Sequence, residues 1–165
     1  MNAAVVNTLP GPELQWRVEQ LLARYVLSID EDQLEDWPDF FVDNCVYILR
    51  SKENADRGLP VAAIFCDSKG MLIDRVVSLR HANIYEKHAY RHIVSSTVID
   101  EVSDEVISAI SNYVVYRTRT NGVTEIFNAG NYRDKIVSRG GELLFQEKIA
   151  TFDTNVIDAL LATPI

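Results

Sequence analysis

The chain has 165 residues, 47% of them hydrophobic and 24% charged, with 24 acidic against 16 basic side chains and a net charge of −8. That is the length of one ordinary domain, able to bury a core without metal or disulfide support, and the balance of a globular chain rather than a disordered one. The acid excess, with no basic run, argues against nucleic acid and against an anionic membrane surface, since both recruit Lys and Arg.

Residues 1–11 are small and polar, end in Pro10-Gly11 and read as an N-terminal arm; they hold neither the basic run nor the apolar core of a signal peptide. From Pro12, suited to a first helical position, Leu14, Val18, Leu21, Leu22, Tyr25, Val26 and Ile29 recur at three- and four-residue steps, predicting an amphipathic helix over 12–30. A short helical piece at 33–36 and an aromatic cluster broken by proline, Trp37-Pro38-Asp39-Phe40-Phe41, follow. Val46–Leu49 is β-rich, 51–60 reads as a loop with Gly58 and Pro60, and 61–66 as a second short strand. Ser68 is placed to cap a helix running to about Arg80, with Leu72, Val76 and Leu79 on one stripe.

The second half predicts strands at 90–99, 106–119, 123–137 and 143–152, turned at Asn121-Gly122, a strong hairpin signal, and at Gly140-Gly141. Gly130 inside a strand suggests a bulge or bend. Along 106–119 both faces are apolar: Val106, Ile110, Val114 and Tyr116 on one, Ile107, Ala109, Tyr113 and Val115 on the other. Such a sheet is covered on both faces, or covered on one and docked on the other. Helices followed by long antiparallel strands predict an α+β class, with a bent sheet wrapped around the N-terminal helices as a cone, in one domain over 12–165. No stretch approaches the ~20 apolar residues of a membrane span, and the expected compartment is the cytoplasm.

Chemistry-bearing residues are few. Cys45 and Cys66, 21 positions apart, form no CxxC and no zinc spacing, and read as buried thiols of a reducing compartment. The three histidines are His81, His88 and His92. Glu86, His88 and His92 have the composition of a facial iron site, but four residues along a strand is roughly 13 Å, so no metal site is expected. A Rieske cluster needs two Cys and two His, and neither cysteine has a histidine near it in sequence. GxSxG, GxGxxG and phosphate-loop patterns are missing. One acid–base option exists: His92, on the strand Tyr90–Val94 and oriented by Asp39 or Asp43, could serve a stand-alone dehydratase or isomerase built on a cone-shaped cavity. The plainer alternative is a hydrogen-bonded core or interface histidine.

Four segments, taken in order, resemble a known family: Leu34-Glu35-Asp36-Trp37-Pro38-Asp39-Phe40-Phe41, Met71-Leu72-Ile73-Asp74-Arg75-Val76, Tyr90-Arg91-His92-Ile93-Val94-Ser95-Ser96, and Asn128-Ala129-Gly130-Asn131-Tyr132-Arg133-Asp134. Over about 12–165 the chain is similar to the small (β) subunits of the aromatic-ring-hydroxylating oxygenases, the Rieske non-haem iron enzymes. The nearest likeness is to the subgroup acting on aromatic carboxylates such as terephthalate, salicylate or anthranilate. Ser96 stands where many members carry Asn.

The resemblance implies a cone-shaped, NTF2-like (cystatin-like) fold, with N-terminal helices packed in a strongly bent antiparallel sheet. It implies a structural β subunit with no catalytic, cofactor-binding or metal-binding residue of its own. The Rieske [2Fe–2S] cluster and the mononuclear iron would both belong to an α partner, in an α3β3 assembly. The complex, an oxidoreductase of monooxygenase or dioxygenase type, would hydroxylate an aromatic acid with O2 and electrons from NAD(P)H. Under that reading Arg80, Tyr85, Tyr90 and Arg91 are the expected subunit contacts, because aromatics and Arg are favoured at interfaces.

Overall fold

The computed structural model describes residues 11–82, 87–154, 161 and 163–165. Helix α1 spans Pro12–Asp30, the range that its apolar periodicity predicts, and buries Val18, Leu21, Leu22, Tyr25, Val26 and Ile29. The piece expected to be helical at 33–36 is a turn instead, and a 3₁₀ turn follows at Trp37–Phe40. Pro38 has no N–H to extend a ladder, and Trp37 is driven inward against Phe41 and Tyr47.

Strand β1 runs over Phe41–Ser51. The segment read as a loop contains helix α2, Lys52–Asp56, capped by the Ser51 hydroxyl, which accepts from the Asn54 N–H at 3.2 Å. Strand β2 is only Ile64–Cys66, and helix α3 is Lys69–His81, burying Leu72, Val76 and Leu79. Ser68 occupies the N-cap position of α3 but its side chain accepts no capping bond. Strands β3 (His88–Ser103), β4 (Val106–Arg119), β5 (Thr124–Arg139) and β6 (Glu142–Phe152) complete the sheet.

The six strands lie in the order β2-β1-β6-β5-β4-β3. All neighbours are antiparallel except β1 and β6, which pair in parallel with Tyr47 opposite Lys148. This is the one departure from the expected antiparallel sheet. No hairpin signals it, because β2 to β5 all lie between the two strands in the chain.

On β4, Ile107, Ala109, Tyr113 and Val115 are buried on the inner face with α1 and α3, while Val106, Ile110, Val114 and Tyr116 are half-buried on the outer face. Register shifts in β3 at Ser95/Val98 and Ile99/Glu101, between β4 and β5 at Val115/Tyr116, and between β5 and β6 at Lys135/Ile136 bend the sheet around α1.

Gly130 is not a bulge. A Cβ there would run into the carbonyl oxygen of Thr151 on β6, so its role is close backbone approach. The Asn121-Gly122 signal does make a hairpin, but with a three-residue loop. Arg119 N–H donates to the Val123 carbonyl at 2.9 Å, and Gly122 alone takes a positive φ of 84°. No described helix is long and apolar enough to cross a membrane.

Candidate functional site

The site begins on β3. Alternation places His88, Tyr90 and His92 on its inner face. Tyr90 is buried and stacks on Phe127 at 5.2 Å and 25°, with the His88 ring at 4.4 Å and the His92 ring at 6.2 Å. The tyrosine stands between the two imidazoles along the strand, so they do not converge.

His92 is held from α1. Its Nδ1 lies 2.6 Å from Asp30 Oδ1, and its backbone N–H donates to Asp30 Oδ2 at 2.9 Å. The His92 side chain is 0% exposed and that of Asp30 3%. An ionised carboxylate only accepts, so Nδ1 carries the proton toward it. The other ring nitrogen, Nε2, is buried with no hydrogen-bond partner among the described residues.

The sequence-based partners of His92 are therefore wrong: Asp39 pairs with Lys69 at 2.8 Å, and Asp43 is exposed. Asp30 carried one legible signal. It is an acid in the last turn of a helix that has no base there, where the macrodipole disfavours negative charge. A groove of about 520 Å³ opens between α1 and β3 beside this pair, lined by Leu22, Val26, Leu27, Ile93 and Ser96 among others. Ser96 sits at φ 54° within the β3 register shift. Asn tolerates that left-handed conformation better than Ser.

The interior of the cone is filled. The side chains of Lys148 on β6 and Asp134 on β5 are both 0% exposed and pair at 3.1 and 3.2 Å. The ammonium lies 3.6 Å from the Tyr132 ring centre, with the Phe145 and Tyr25 rings at 4.5 and 4.6 Å. Burial pushes the Asp134 carboxyl up and the Lys148 ammonium down, and their mutual attraction works against both shifts.

Tyr113 stacks on Tyr132 at 4.4 Å and donates to Asn128 Oδ1 at 2.7 Å. Ile165 reaches in as well: its carbonyl accepts from Tyr25 at 2.9 Å and from Tyr47 at 3.0 Å. Burial pushes the Tyr47 phenol up to about 12 and Tyr25 well up, so both remain protonated donors. Sequence reading assigned no role to Lys148 or to Asp134. They lie fourteen positions apart and face each other only through the β5–β6 register.

The expected contact residues fall in different places. Arg80, at the end of α3, is committed to Asp32 and Glu35, both at 2.8 Å. Arg91 projects from β3 to an exposed pair with Glu31 at 2.7 Å. Tyr90 is buried as above, and Tyr85 lies outside the described residues, as does Glu86.

The potential metal donors do not fit an iron site or a cluster. Cys45 and Cys66 are free thiols, raised by burial and thus poor thiolates; His92 is committed to Asp30. Among the described residues, no group of three or more His, Cys, Asp or Glu is placed to hold a metal ion.

The family model described as ring hydroxylating beta subunit matches residues 24–159. The anthranilate 1,2-dioxygenase small subunit of Burkholderia cepacia is 46% identical, over 91% of this chain and 93% of that one. Subunit beta 2 of the terminal oxygenase component of terephthalate 1,2-dioxygenase from Comamonas sp is 41% identical, over 87% and 93%. A solved beta subunit of aromatic-ring-hydroxylating-dioxygenase type from Novosphingobium aromaticivorans superposes with a TM-score of 0.84 at 46% identity, over 92% of this chain and 96% of that one.

The curled α+β cone is the expected NTF2-like fold. The stand-alone dehydratase or isomerase reading of His92 is not favoured beside these relatives. The chain belongs to the ring-hydroxylating beta subunit family and is the small subunit of an aromatic-ring-hydroxylating dioxygenase.

Proposed function

We propose that residues 12–165 form one structural, non-catalytic domain that holds large oxygenase subunits in place within an α3β3 complex. The Rieske [2Fe–2S] cluster and the mononuclear iron belong to the large subunit, and the complex works in the cytoplasm. Its substrate is an aromatic carboxylate such as anthranilate, salicylate or terephthalate. The observation that carries the reading is likeness along nearly the whole chain to the small subunits of anthranilate and terephthalate dioxygenases. Two features support it. The cone, which in an enzyme would hold substrate, is packed with Lys148, Tyr25, Tyr132 and Ile165. Among the described residues, the donors that could take iron do not converge.

Under this reading Arg80, Tyr85 and Arg91 remain contact residues, Arg80 and Arg91 presented from ion pairs that fix their side chains; Tyr90 acts by packing behind Arg91. The test is co-expression with the large subunit, followed by hydroxylation assays on the three carboxylates. The complex is expected to turn over at least one of them while this chain alone turns over none. A complex that hydroxylates only an uncharged arene would overturn the substrate assignment.

A further inference from the structure

The register of the sheet builds a row on its outer face. Phe65 on β2 stands opposite Ile48 on β1, Ile48 opposite Ile149 on β6, Ile149 opposite Arg133 on β5, Arg133 opposite Ile110 on β4, and Ile110 opposite Val98 on β3. Directly opposed residues share a face, so these six side chains cross all six strands, about 24 Å at ~4.8 Å per strand spacing. The ends are open: Phe65 is 54% exposed and Val98 57%. The neighbouring rows are polar beyond β1, with Val46, Glu147, Lys135 and Ser108 on one side and Arg50, Thr151, Asn131 and Asn112 on the other. An apolar strip within a polar rim has the anatomy of a protein interface.

Arg133 interrupts the strip at its centre. It is exposed and has no hydrogen bond or ion pair among the described residues, whereas Lys135 beside it is neutralised by Glu147 at 3.0 Å. Covering Arg133 without an acceptor would bury an unpaired charge, so the occupant best suited to this face brings a carboxylate.

The same chain offers one. Asp100, Glu101, Asp104 and Glu105 cluster at the β3–β4 turn, none of them in an ion pair among the described residues. Asp104 and Glu105 form its two central positions at φ 49° and 66°. Asn-Gly would adopt that geometry with less strain, and the turn keeps two acids instead.

We propose that the outer sheet face of one copy receives the acidic β3–β4 turn of a second copy, with Arg133 as the central contact. This rests on the reading that several copies of the chain meet in one assembly. The test is native mass spectrometry of the purified full chain, with circular dichroism to confirm folding. The wild-type chain is expected as a multimer, Arg133→Glu and Asp104→Lys/Glu105→Lys as folded monomers, and the combined charge-swapped variant as a multimer again. Multimers that survive Arg133→Glu overturn the proposal. So does a wild-type chain that stays monomeric yet joins the large subunit through this face; that result leaves the proposed function standing, whereas a wild-type chain that joins no large subunit at all removes both.

Discussion

Asp30 closes helix α1 by gripping His92 twice, through the ring at 2.6 Å and through the backbone N–H at 2.9 Å. One carboxylate thus joins the end of the first helix to the edge strand of the sheet, across 62 positions of sequence. Beside it Glu31 and Arg91 repeat the connection at the surface. A histidine that could serve acid–base chemistry is thereby committed to holding the cone shut.

His92→Ala leaves the buried Asp30 carboxylate without its ring partner and is expected to cost about 2–3 kcal/mol, the worth of a hydrogen bond to a charged group. The assembled oxygenase should keep its kcat, because the loss falls on folding. Thermal melts of the chain and turnover per assembled complex check both halves. A collapse of kcat with unchanged stability would restore a catalytic role to His92.

The buried Lys148–Asp134 pair is a stronger determinant. Lys148→Met alone strands a carboxylate in the apolar interior and should cost about 3–5 kcal/mol, lowering Tm by on the order of 10 °C for a chain this long. Lys148→Met with Asp134→Leu removes both charges and should recover most of the loss. A double variant as unstable as the single one would show that the aromatic cage around the ammonium, rather than the ion pair, supplies the stability.

Arg80 holds the Glu35 carboxyl down at about 2, against 4.5 in a free side chain, mainly through their hydrogen bond. A carboxyl lowered on folding adds stability above its unfolded value and loses it as pH falls from 4.5 toward 2. Glu35 is 63% exposed, so solvent screening keeps the effect below about 1 kcal/mol. Glu35→Gln should therefore melt slightly below wild type at pH 7 and together with it near pH 2. Melts across that range show whether the two curves converge.

Two backbone positions should respond in opposite directions. Gly130→Ala drives a Cβ against the Thr151 carbonyl and is expected to cost about 3 kcal/mol by forcing β5 and β6 apart. Ser96→Asn relieves a left-handed backbone conformation and should gain about 0.5–1 kcal/mol. Urea denaturation of the two variants against wild type measures both.

What could be read from the sequence was local. Helix α1 and strand β4 fall at the predicted limits, because their apolar periods of 3.6 and 2 depend only on neighbouring residues. The parallel β1–β6 pairing was not legible, since it joins strands about a hundred residues apart with no turn between them. Asp39 and Asp43 looked like partners for His92 because they follow the aromatic cluster. The true partner is set by where α1 ends against β3, which is a matter of packing. Lys148 and Asp134 resemble ordinary surface charges in sequence, and only the register turns both inward.

The central claim is that this chain contributes architecture while the chemistry belongs to its partner. The most direct measurement is iron and acid-labile sulfide analysis of the purified complex after its two chains have been separated, with turnover of this chain assayed alone. The account predicts background iron and no turnover for this chain, and all the metal with the large subunit. One iron retained per copy of this chain, or turnover by it alone, would contradict it.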